Sequence, residues 1–134
     1  MTVINVLQLS SAIGLIISLY FYCVYKGYVS GFFSPRKLCA RNTCHDILKT
    51  PFAHIFKVPN FSLGIFYYIA VFAFTLVEPV PAVSTLLLVI SWLVVILSVY
   101  LTYALFFVLE IDCILCYAAH IANVVIAICI FMLY

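Results

Sequence analysis

Four runs of the chain are almost free of charge: 3–25, 61–77, 82–109 and 113–134. Few environments tolerate such runs. In a bilayer, roughly 20 apolar residues wound as a helix cross the hydrocarbon core, because a helix bonds its own backbone N–H and C=O groups. A water-soluble domain could not cover them, since 69% of the 134 residues are hydrophobic and only 7% charged, against averages of roughly a half and a quarter. The expected fold is an all-α integral membrane protein, one domain over 1–134, with four transmembrane helices in a bundle. The second run is the shortest, and the third is long enough to tilt or protrude.

The first run has neither the basic start nor the small-residue cleavage site of a secretory signal, and it is too long for one, so it is expected to stay as a span. Glu78, Pro79, Val80 and Pro81 form a connection so short that spans two and three must be an antiparallel hairpin, and the prolines cannot continue a helix. No internal repeat or low-complexity tract is present. The one substantial polar segment is 26–60, between spans one and two, with Cys39, Cys44, His45, His54 and all six Lys and Arg residues. The short connection 110–112 follows two crossings later and returns to the same face. Cys39 and Cys44 can therefore meet Cys113 and Cys116.

Cys113 and Cys116 stand at i and i+3, so on a helix they point the same way and are close enough for a disulfide. In a first helical turn the unpaired N–H groups favour a thiolate, while the charges of Asp112, the expected N-cap, and of Glu110 oppose it. Cys23 and Cys129, alone within apolar runs, are expected to be packing residues. A C-x-x-C at a helix mouth opposite a second pair in the polar loop suits thiol–disulfide exchange, and Cys116, one turn into the membrane, would be open to a lipid-soluble oxidant. Two such pairs could also hold a structural zinc, which would leave the lipid-side position of Cys116 without a use.

The residues also resemble a known family. "CARNTC" (Cys39, Cys44) follows the first span; "TPFAHIF" places Thr50 six residues after Cys44; "PNFSLGIFYY" leads into the second span with Asn60 four residues before Gly64; and "CILC" opens the last. In this order the motifs resemble the vitamin K epoxide reductase family, including its prokaryotic disulfide-forming members. Analogous quinone-linked enzymes carry their C-x-x-C in the first extracytosolic loop instead.

The resemblance implies a four-helix bundle around a quinone pocket. Cys113 and Cys116 would be the redox pair, with Cys116 the sulfur that reacts with the quinone. Cys39 and Cys44 would be a shuttle, Cys44 exchanging with Cys113 and Cys39 facing a thioredoxin-like protein, which is expected to be a separate chain. Asn60 matches a position whose amide bonds a quinone oxygen. His120 stands where vertebrate members have Tyr, one turn below Cys116, and could still donate to that oxygen; the difference leans away from vitamin K itself as the substrate. Phe56, Phe61 and Tyr67, with Phe52, are candidates to line or cover the pocket, although each could equally be packing. His45 and His54 could assist as bases near the loop thiols but are expected to be solvated loop residues, and Ser62 could cap the second helix. The quinone would be of the menaquinone, ubiquinone or vitamin K type. No resident metal is expected, nor nucleic acid; membrane lipid surrounds a monomer.

The expected activity is a quinone-dependent thiol oxidase that makes protein disulfides. Alternatives are the same machinery run as a quinone or quinone-epoxide reductase, or a structural subunit with zinc on four cysteines. Every Lys and Arg (Lys26, Arg36, Lys37, Arg41, Lys49, Lys57) lies in or beside the cysteine-bearing loop, which by the positive-inside rule places that loop in the cytosol. The family default is the opposite face, where disulfides persist; an inverted member would suit a hyperthermophile. A basic loop could instead recruit an acidic partner or lipid headgroups. The cytosolic reading is favoured.

Overall fold

The computed structural model describes residues 2–26, 54–55, 58–108 and 114–134. The described residues form four α-helices: α1 (Val3–Lys26), α2 (Asn60–Phe74), α3 (Pro81–Tyr103) and α4 (Ile114–Leu133). Two short strands, β1 (His54–Ile55) and β2 (Val58–Pro59), pair antiparallel and lead into α2. At the end of α3 the chain widens into a π-helical turn, Ala104–Val108.

Among the described residues, three helical segments are long and apolar enough to cross a membrane: Val3–Lys26, Pro81–Val108 and Ile114–Leu133. The 28 residues of Pro81–Val108 reach about 42 Å at the usual rise, more than a hydrocarbon core of about 30 Å. Within the 61–77 run the helix stops at Phe74, so its 15 residues cover only about 22 Å. Thr75 ends it by turning its hydroxyl back onto the Phe72 carbonyl at 2.6 Å, and the same hydroxyl accepts from Gln8 Nε2 of α1 at 3.1 Å. Pro81 then opens α3 at a first-turn position, where its missing N–H costs nothing.

The order of packing is α2 against α1, α1 against α4, and α4 against α3. The inward faces explain why. On α1 they include Leu7, Ser11, Gly14, Ser18 and Phe21, and on α3 Ser84, Leu87, Ser91 and Ser98. Large apolar residues such as Ile16, Phe66, Leu93, Ile96 and Phe131 point outward. Lipid does not drive apolar faces together, so small residues that let backbones approach, and hydroxyls that bond across helices, take the interior.

Candidate functional site

One end of the bundle gathers the features the sequence singles out. Ile17 and Phe21 near the end of α1, Phe61 at the start of α2 and Leu105 of the π turn form one buried apolar cluster; Val24, Leu115, Cys116, Tyr117, Ala118 and Ala119 pack against it. The ends of α1 and α3 and the beginnings of α2 and α4 therefore share one face of the bundle. Phe61, 8% exposed, has its ring 6.2 Å from that of Tyr22 and 5.4 Å from that of Tyr25. Cys116 stands partly buried in the first turn of α4.

Asn60 begins α2 directly beside Phe61, with its Oδ1 buried. Pro59, which makes no side-chain cap bond, is the N-cap, and Ser62 lies inside the first turn rather than at the cap position. His120 lies one turn below Cys116 on α4. Its Nδ1 is buried and has no hydrogen-bond partner among the described residues. Buried polar atoms are nearly always satisfied, so this nitrogen suits a ligand's polar group. In the Nδ1–H tautomer it would donate to a carbonyl oxygen of a quinone, and the apolar cluster above it suits the ring. By this test the residues present fit a quinone.

Tyr67 is placed differently. It packs against a second, deeper cluster that includes Leu7, Tyr68, Val71, Phe74, Leu87 and Ile126, and its hydroxyl donates to Ser91 Oγ of α3 at 3.1 Å. Cys39, Cys44, Cys113, His45, Phe52 and Phe56 lie outside the described residues. Of His54 only the backbone pairing with Pro59 is described. Among the described residues no three His, Cys, Asp or Glu side chains converge to hold a metal.

Sequence reasoning passed over one feature beneath the site. Tyr68 Oη donates to Asn123 Oδ1 at 2.6 Å, and Asn123 Nδ2 donates to Ser98 Oγ at 2.9 Å, joining α2, α4 and α3 through buried atoms. The available signal was Asn123 itself, since an amide within an apolar span is costly unless it is bonded or used.

Fold and site together define a helical membrane protein with a thiol against a buried apolar cluster at one end of the bundle. The chain matches the model of the vitamin K epoxide reductase family over residues 5–131, and it belongs to that family. In general terms, membership makes it a quinone-linked thiol oxidoreductase or epoxide reductase. A search of the curated proteins finds no match.

Proposed function

We propose that the chain is a quinone-dependent thiol oxidase that makes disulfides in other proteins through a separate thioredoxin-like partner. The observation that carries this reading is Cys116 against the apolar cluster of Ile17, Phe21, Phe61 and Leu105, with His120 Nδ1, one turn below, lacking a hydrogen-bond partner among the described residues. A thiol there reaches both water-side thiol chemistry and a lipid-soluble acceptor.

A thiolate of the partner attacks the Cys39–Cys44 disulfide, and the partner's second thiolate closes its own disulfide, leaving Cys39 and Cys44 as a dithiol. Cys44 then attacks Cys113, which releases Cys116 as a thiolate. Cys39 next displaces Cys113 and re-forms Cys39–Cys44. Each exchange needs an attacking thiolate, access to a sulfur and a downhill potential. A bound quinone supplies the acceptor for the resulting two electrons and two protons. His120 and Asn60 hold and orient its carbonyl oxygens, and Phe61 with its neighbours keeps water from Cys116. The basic loop carrying Cys39 and Cys44 faces the cytosol in this reading.

The test is quinone absorbance when protein in detergent is mixed with a reduced thioredoxin-like protein or with dithiothreitol. Cys116→Ala should abolish quinone reduction with either donor, and Cys39→Ala only with the protein donor. Stoichiometric zinc and no quinone reduction by the unaltered protein would overturn the reading.

A further inference from the structure

Asn123 follows Cys116 by seven residues on α4, which sets it only about 20° from the same line along the helix and about 10 Å deeper. His120 lies between them on that face, three residues before Asn123. The rotation of α4 about its axis is thus shared by all three residues. At Asn123 that rotation is held from two sides: Tyr68 of α2 donates to its Oδ1 and its Nδ2 donates to Ser98 of α3. Tyr68 is itself fixed, 3% exposed, with its ring lying against Gly14 of α1 where no Cβ would fit.

We infer that the Tyr68–Asn123–Ser98 hydrogen bonds are a clasp that fixes the rotation of α4 and so turns His120 toward the Cys116 cluster, making Tyr68 and Asn123 positioning residues for quinone binding. The inference rests on the quinone chemistry proposed for that cluster. The clasp is made within the bundle: Tyr68 Oη and both polar atoms of the Asn123 side chain each have a partner in one another or in Ser98. Directly above them, His120 Nδ1 has no partner among the described residues. A loosened α4 would let this nitrogen turn toward lipid or water.

Stability and positioning can be separated, because replacing both partners of a buried hydrogen bond by apolar groups is often nearly neutral for stability. The experiment uses purified full chain in detergent, with dithiothreitol as donor and a short-chain ubiquinone as acceptor; the donor's two thiols close to a cyclic disulfide and the quinone becomes hydroquinone. Tyr68→Phe and Asn123→Leu should each raise the quinone KM about three- to fifteenfold, the range a hydrogen bond within a membrane spans, with kcat held within about twofold. The triple variant Tyr68→Phe/Asn123→Leu/Ser98→Ala, which removes every polar member of the clasp, should regain the Tm lost in Tyr68→Phe but keep the raised KM. Added to His120→Ala, Tyr68→Phe should raise KM no further. Recovery of KM together with Tm, an unchanged KM in both single variants, or full additivity with His120→Ala would overturn the clasp alone. Absence of quinone reduction in the unaltered protein would overturn the redox reading beneath it.

Discussion

The Tyr68 ring of α2 lies where a side chain at Gly14 of α1 would have to stand, so α1 and α2 close on each other only because position 14 is glycine. Gly64 of α2 faces α1 under milder conditions: a Cβ there would meet Ser18 Oγ at 2.8 Å and the Ser18 Cβ at 3.8 Å. The first neighbour is an aromatic ring held by a buried hydrogen bond. The second is a hydroxyl that can rotate.

Gly14→Ala should therefore destabilise the protein by about 1–3 kcal/mol, the usual cost of overpacking, and should release Tyr68 from Asn123. Gly64→Ala should cost less, and Ser18→Ala/Gly64→Ala should recover most of that loss, because removing Oγ leaves ordinary contact. Thermal unfolding in detergent measures both; equal losses at positions 14 and 64 would contradict the packing argument.

The cysteines divide by surroundings. Cys129 is buried in the deep cluster beside Ile126 and Ile130, whereas Cys116 borders the apolar mouth. Cys129→Ala should lower stability by about 1 kcal/mol, as small losses of buried volume do, with quinone turnover intact. Cys116→Ala should leave Tm within a few degrees and remove turnover with every thiol donor. Turnover that survives Cys116→Ala would refute the assignment of Cys116.

The spans were legible because absence of charge over roughly 20 residues has one common physical solution. Which face of each span turns inward was not legible. Water-soluble helices advertise the inner face by apolar residues, but here Ser11, Ser18, Ser84, Ser91 and Ser98 are inside while Ile16, Phe66 and Leu93 are outside, so the pattern is inverted and weak. The same difficulty hid the roles of Tyr67 and Tyr68: neighbours in sequence, about 100° apart on the helix, they bond to different helices, Ser91 of α3 and Asn123 of α4. The π turn Ala104–Val108 carries no signal in "ALFFV" that would separate it from α-helix. The C-x-x-C and the polar loop stand out because their residue types are rare in such a chain, but Cys39, Cys44 and Cys113 lie outside the described residues.

Tyr67→Phe offers a test of that division. Its hydroxyl donates to Ser91, a bond worth about 0.6 kcal/mol on average inside a membrane, and is not among the groups of the Cys116 cluster. The substitution should lower Tm slightly and leave the quinone KM within about twofold, even if the ring lines the pocket. A KM rise as large as that of His120→Ala would place the hydroxyl on the quinone.

The proposed cytosolic side of the cysteine-bearing loop rests on charge and can be tested. All six Lys and Arg residues lie at 26–57, and short basic loops stay on the cytosolic side because Lys and Arg near the span ends set orientation. Glu78 is the one charged residue in the connection between α2 and α3; acidic residues count little in this rule. An impermeant maleimide applied to intact cells after mild reduction should therefore leave Cys39 and Cys44 unlabelled, and should label them once the membrane is permeabilised. A single cysteine introduced at Val77, which is exposed at the opposite end of the bundle, should show the reverse, reacting in intact cells. Labelling of Cys39 and Cys44 in intact cells, with position 77 protected, would set the thiols outside the cytosol and make the basic loop a docking surface for an acidic partner or for lipid headgroups.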